Sequence, residues 1–229
     1  MTGGGSQAAV ARVLRVRQSL RDPSLCHVDI EGAGTYRLDA EMVRALGLTE
    51  GCEVDEALVA GIVGAATRLH GKTIALRLLQ RRLRSRSELE AALRRRGVPR
   101  EAVVAVIGEL GRDGWIDDAR FARTWVRDRL ALRPCGRRRL RAEILAHGVA
   151  APVAEEAVRE LLSGDAEADL ALEQARVRWG RLRGVEPIAA RRRLVGWLQR
   201  RGYAPDVIAR TLRLLSPAPS DRPDVDPAA

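Results

Sequence analysis

The chain has 229 residues, 46% of them apolar but only 3% aromatic, so a buried core has to be assembled from Leu, Val, Ile and Ala, which favours helices. Its net charge of +10 and pI of about 11.0 point to a polyanionic partner. Cys26, Cys52 and Cys135 are odd in number and far apart, which excludes a complete disulfide framework, and the longest apolar run, residues 57–67, falls short of the about 20 residues of a membrane-spanning helix.

Taken in order, residues 1–8 read as a disordered, glycine-rich leader with no signal peptide. A small β-containing extension comes next, over 9–70. Val10, Arg12, Leu14 and Val16, then Leu25–Ile30 and Thr35–Leu38, are short β-leaning runs separated by Arg21-Asp22-Pro23-Ser24 and Glu31-Gly32-Ala33-Gly34 turn signals. They predict a three-stranded antiparallel sheet. Asp39 caps a short helix over Ala40–Leu46, Gly47 ends it, and a longer helix runs from about Val54 to Leu69. Three strands alone are marginal, so this piece is expected to pack on the first helical repeat, which begins near residue 72, through Leu58, Ile62 and Val63.

From about residue 72 one frame recurs three times. Leu89, Leu93 and Gly97 are followed by Ile107 and Leu110; the same offsets hold Leu140, Ile144, Gly148, Val158 and Leu161, then Leu194, Leu198, Gly202, Leu212 and Leu215. The glycines are 51 and 54 residues apart (148−97 and 202−148), the mark of tandem repeats. Leucines four apart share a helix face, a glycine just beyond takes the left-handed conformation that ends the helix, and Pro99, Pro152 or Pro205 opens the next. A leading helix completes each unit: about Thr73–Leu83, Asp118–Leu130 and Asp165–Trp179. Ser85 or Ser87, Asp117 and Ser163 suit helix starts. The units fall at 72–113, 114–162 and 163–215, with a loop at Gly184–Pro187, and the proline- and aspartate-rich tail 216–229 is expected to be disordered. The fold class is therefore mainly α: tandem three-helix, helix–turn–helix-like repeats in an elongated stack, with a small β-containing N-terminal extension.

These residues carry a resemblance. The stretches Arg84–Pro99, Gly114–Leu130, Cys135–Val149 and Leu198–Ile208 resemble the RecX family of recombination regulators, with its double aspartate (Asp117, Asp118) before an aromatic-Ala-Arg stretch and its closing Arg-Gly-aromatic (Arg201, Gly202, Tyr203). Arg137 stands where the family's pattern has proline, and Tyr203 where it has phenylalanine; neither disturbs the helical frame. The resemblance covers about residues 69–215. It implies a cytoplasmic, non-enzymatic protein that binds the RecA recombinase and its filament on single-stranded DNA, lodged in the filament groove or capping it. There it would lower the ATPase, recombination and coprotease activities. The alternative open at this point is a sequence-independent DNA-binding protein made of helix–turn–helix units.

No catalytic constellation, metal site or cofactor loop emerges. His27, His70 and His147 are scattered, Cys26-His27 lacks metal-ligand spacing, and a helix N-terminus accounts for Asp117-Asp118 without a metal. Arginine placement is the informative polar feature. Lys72 is the only lysine among 40 basic residues; the arginine fork suits phosphate, although a biased genome gives the same excess. Arg94-Arg95-Arg96 and Arg200-Arg201 precede frame glycines, where the helix dipole welcomes positive charge. Arg137-Arg138-Arg139 and Arg141 open a helix, where it is unfavourable, which marks them as an anion-contacting site. Repeat geometry would merge these clusters into one basic stripe. Trp115, Trp125 and Trp179 suit core or inter-repeat packing, whereas Trp197 and Tyr203 are placed for an exposed contact. An unbroken repeat array with a polar tail leans to a monomer.

Overall fold

Alternating Val, Ile and Leu build the first elements of the computed structural model, which describes residues 10–215; the readings of residues 1–8 and 216–229 lie outside it. Strands β1 (Ala11–Gln18), β2 (Leu25–Ile30) and β3 (Gly34–Asp39) pair antiparallel, with Val16 opposite Val28 and Val28 opposite Tyr36. Val13, Val28, Ile30 and Leu38 are buried on one face. A bulge between Val13 and Arg15 lets Val13 and Val16, three apart, both turn inward. A short β4 (Glu53–Val54) pairs with Ala11–Arg12 and makes the order β3-β2-β1-β4, one strand more than expected. Two residues carry no alternation to read. Between them α1 (Ala40–Ala45) ends at Gly47, at φ 62°.

Helix α2 (Glu56–Arg81) starts at Asp55, whose carboxylate accepts from the Leu58 N–H at 2.7 Å. The sequence reading divided this stretch near residue 70; it is one continuous helix of 26 residues, about 39 Å long. Gly71 looks like a stop, yet it is helical and buried. A Cβ there would lie 3.2 Å from the Val98 side chain, so the glycine serves close packing. Leu58, Ile62 and Ala65 join the sheet's own core rather than that of the first repeat, and Val63 is partly exposed; Ala75 and Leu78, further along the same helix, make the contact with the core of the first repeat.

The three repeats are α3 (Arg86–Arg94) and α4 (Arg100–Arg112) with the end of α2; then α5 (Asp118–Leu132), α6 (Arg137–Ala146) and α7 (Ala151–Leu161); then α8 (Gly164–Gly180), α9 (Pro187–Arg200) and α10 (Pro205–Leu215). Ser85, Asp117 and Ser163 cap α3, α5 and α8 by accepting from the N–H three residues on. The frame glycines take the expected left-handed conformation, at φ 76°, 76° and 81°. At Gly97 and Gly202 the next N–H reaches back to the frame leucine, Val98 to Leu93 and Tyr203 to Leu198, both at 3.2 Å. This double-bonded helix end presses the residue after the glycine onto the core. Val98, Val149 and Tyr203 are accordingly buried. The first apolar pair of the frame is buried in all three repeats; in the third the last helix buries Val207, Ile208 and Thr211 most fully, while Leu212 and Leu215 pack half-buried against the same core, as Leu161 does in the second.

Two compact units divide between Ile116 and Asp117. The first holds the sheet, α2 and the first repeat; the second holds repeats two and three.

Gly97 and Gly202 occupy equivalent positions but differ in surroundings. A Cβ at Gly97 meets nothing within 4 Å, whereas at Gly202 it would lie 2.3 Å from the Arg139 Cβ and 2.5 Å from the Arg139 backbone N. Gly97→Ala is expected to cost the left-handed penalty alone, about 1–2 kcal/mol. Gly202→Ala should cost clearly more, because backbone must shift. Urea denaturation of the two variants measures the difference, and equal losses would mean that the close approach is not fixed.

Candidate functional site

The run Cys135-Gly136-Arg137-Arg138-Arg139 places a glycine and three arginines at the start of α6. Gly136 is buried, and its N–H donates to the Arg201 carbonyl at 2.9 Å. A Cβ on Gly136 would lie 2.3 Å from the Gly202 carbonyl oxygen and 2.6 Å from the Tyr203 nitrogen. The start of α6 is therefore laid, backbone on backbone, against the turn between α9 and α10. Side chains clasp the same joint: the Arg139 guanidinium donates to the Arg200 carbonyl at 3.2 Å and that of Arg201 to the Pro134 carbonyl.

Positive charge at a helix start is unfavourable unless something opposes it. Here Glu167 does, from α8. Its side chain is 3% exposed and accepts from the Arg137 N–H at 2.8 Å. Burial pushes the Glu167 carboxyl above the ordinary glutamate range, against the opposing pull of the Arg137 N–H and charge. Two of the four arginines are paired through their side chains. Arg139 meets Glu143 at 2.9 Å and Arg141 meets Glu155 at 2.7 Å. Burial would raise the Glu143 carboxyl, but hydrogen bonds from Arg129, Arg139 and Trp125 outweigh it and hold it below the usual range. Arg138 alone of the four is exposed with no partner among the described residues.

Arg137, Arg138 and Arg141 line an open groove of about 870 Å³ between the second and third repeats. Arg159 and Arg210 complete five cations there, facing five carboxylates: Glu155, Glu156, Asp165, Glu167 and Asp206. The groove is close to neutral, a strongly patterned surface rather than a plain anion site.

The other expected contacts divide. Arg200 is exposed beside the joint; Arg201 is half-buried, its guanidinium 4.8 Å above the Trp197 ring. Tyr203 is a correction: it is 1% exposed, and its hydroxyl accepts from the Gln174 amide at 2.7 Å, so it offers no surface contact. Val98 and Val149, apolar at the same offset, were the signal for that burial. Trp115 is 56% exposed rather than packed, while Trp125 and Trp179 are half-buried against their repeat cores. Arg94, Arg95 and Arg96 are exposed in the first unit, with Arg96 turned back onto the Ala92 carbonyl. Gly136 and Glu167 were missed by the sequence reading. Neither stands in the repeating frame, and their hydrogen-bond partners lie 65 (201−136) and 30 residues away.

Among the described residues no cluster of three His, Cys, Asp or Glu is placed to hold a metal, and no helix is long and apolar enough to cross a membrane. Three family models match the chain in order: the first three-helix domain of RecX over residues 72–110, the second over 117–158 and the third over 165–212. A regulatory protein RecX from Thermobifida fusca is 41% identical over 142 residues, covering 62% of this chain and 76% of that protein. The chain belongs to the RecX family. A second RecX, from Treponema pallidum, is 34% identical over 161 residues and covers 70% of this chain and 86% of its own. The fold is shared with a crystal structure of a regulatory protein RecX, at a TM-score of 0.74 and 19% identity over 87% of this chain and 97% of that one. A RecX structure from Lactobacillus salivarius gives 0.61 and 21% over 65% and 96%.

In RecX terms the joint ties the second three-helix domain to the third. Because the Glu167 carboxyl is raised in the folded chain, its contribution to stability is fullest below the ordinary glutamate range and is lost as pH rises through the folded pKa. Glu167→Gln should remove that pH dependence while keeping an acceptor for Arg137, and Glu167→Ala, which strands the buried N–H, should cost about 1–3 kcal/mol. Urea denaturation at acid and at neutral pH compares them. Parallel pH profiles for wild type and Glu167→Gln would contradict the assignment.

Proposed function

We propose that this chain binds the RecA recombinase and its filament on single-stranded DNA in the cytoplasm, and that it lowers the ATPase, recombination and coprotease activities of that filament. The observation that carries the reading is the ordered presence of all three RecX domains, in a chain whose relatives are named regulatory proteins. The protein acts as a regulator, through binding rather than catalysis.

The groove between the second and third domains supports a protein partner. Five carboxylates among five cations would repel a bare phosphate chain as strongly as the arginines attract it. A protein face with both signs can match such a pattern, and matched charge fixes register and rejects wrong partners. Arg138, exposed and unpaired, is the residue there most available to a partner. Arg139 and Arg141 act first within the chain, through Glu143 and Glu155.

The test is co-sedimentation of the chain with RecA filaments assembled on single-stranded DNA. Wild type should sediment with the filament, and Arg138→Glu should do so several-fold less well while melting at an unchanged temperature. Full retention of Arg138→Glu would remove the groove from the contact; a wild type left in the supernatant would overturn the proposed function.

A further inference from the structure

The net charge of the chain is +10, and it is not spread evenly. Residues 176–201 contain nine arginines and one acidic residue, Glu186, a balance of +8 (9−1) within 26 positions. The fold gathers most of these at one end of the third domain. Helix α8 ends at Gly180 and α9 begins at Pro187, so only six residues, 181–186, join them. Leu182 anchors that connection in the core, and Gly184, at φ 86°, reverses it. Arg191 stands four residues into α9, about 6 Å along its axis. The last two turns of α8, the connection and the first two turns of α9 therefore present Arg176, Arg181, Arg183, Arg191, Arg192 and Arg193, all exposed.

Several cations of the neighbouring domain are paired, although Arg138 there is not. In the second domain Arg123, Arg129, Arg139, Arg141 and Arg159 each have a glutamate within 4 Å. At the α8–α9 end none of the six has a carboxylate partner among the described residues. The one acidic group is already engaged. Glu186 caps α9 with both oxygens, accepting from the Ile188 N–H at 2.9 Å and the Ala189 N–H at 2.8 Å. The α8 dipole accounts for a cation in its last turn. It gives no reason for Arg183 or for three consecutive arginines in α9, whose mutual repulsion is a cost to the fold without a structural return.

We propose that the α8–α9 end of the third domain is a binding surface for the phosphate backbone of nucleic acid. A strand of phosphates carries one charge every 3.4 Å and a condensed ion atmosphere, so a cluster of uncompensated guanidinium groups gains by releasing those ions. Arginine also donates in a fixed fork that matches phosphate oxygens. Apart from Glu173, one turn before Arg176 on α8, the surface has no free acidic group to pattern a protein partner, in contrast to the groove between the second and third domains. Sequence preference is not expected, because no exposed aromatic side chain lies among these arginines for bases to stack on. This surface stands on charge and placement alone and does not depend on recombinase binding.

The experiment titrates the full chain onto a fluorescent thymidine oligonucleotide, and separately onto a duplex, across a series of salt concentrations. A variant carrying Arg191→Gln, Arg192→Gln and Arg193→Gln is compared with wild type and with Arg44→Gln, an exposed arginine of the first unit, as a control. Wild type should bind. The triple variant should bind roughly tenfold or more weakly near physiological salt. Its log–log salt slope should be shallower by about 2 on the single strand, three contacts at about 0.7 each, or nearer 3 on duplex at about 0.9 each, which distinguishes the two sources of phosphate. Arg44→Gln should leave the slope unchanged. If the triple variant melts early, Arg192→Gln alone should still remove about 0.7 from the slope. Wild type that does not bind, or a triple variant that keeps the wild-type slope, would overturn the proposal. Weaker filament co-sedimentation with an unchanged oligonucleotide slope would overturn it in favour of an acidic protein face. No recombinase is present in the oligonucleotide titration, so its failure is separate from failure of the regulatory reading.

Discussion

Two glycines that face each other decide how the second unit is built. Gly136 and Gly202 stand so close that a Cβ on either would run into the other segment's backbone or the start of the Arg139 side chain. Absence of both side chains lets the start of α6 seat directly on the turn between α9 and α10, where main-chain groups bond across. Main-chain contacts of this kind have little freedom to slide, since they depend on backbone position and not on a side-chain rotamer. Three features depend on that joint. Glu167 is brought under the first turn of α6, Tyr203 is sealed beneath it, and the groove flanked by α6, α7, α8 and α10 acquires its walls.

Charge then separates the surface into two kinds. Around the joint Arg139 and Arg141 meet glutamates, and Glu167 offsets the adverse placement of cations at a helix start. At the far side of the third domain the arginines have no such answer. A polyelectrolyte and a folded protein ask for different surfaces, unopposed charge for the first and alternating charge for the second. A net charge summed over the chain conceals this division. It becomes visible only once Glu143, Glu155 and Glu167 are seen to be engaged.

Much of the architecture was legible in the sequence because it rests on local rules. The leucine pair and glycine of each frame sit where helix period and left-handed φ require, and Asp117 and Ser163 cap the helices that begin just after them. The errors arose where a local signal served a distant purpose. Gly71 falls where the sequence reading divides one long helix in two, but it makes room for Val98; β4 is too short to show a period. Tyr203 seemed exposed because an aromatic beside a turn is often so, yet the geometry of the helix end turns it inward. The arginine cluster at α6 was found by its conflict with the helix dipole, while the residue that resolves the conflict, Glu167, could not be picked out from among 30 acidic side chains without the fold.

The regulatory reading makes a chain of modest size act on a filament of many subunits. Tandem domains suit that task, since several weak contacts held on one chain act together with a high effective concentration. The most direct measurement is RecA-catalysed ATP hydrolysis on single-stranded DNA, followed as this protein is added far below one copy per recombinase. The account predicts that hydrolysis falls at such ratios. Inhibition that begins only when the protein is abundant enough to coat the DNA, or none at any ratio, would contradict it.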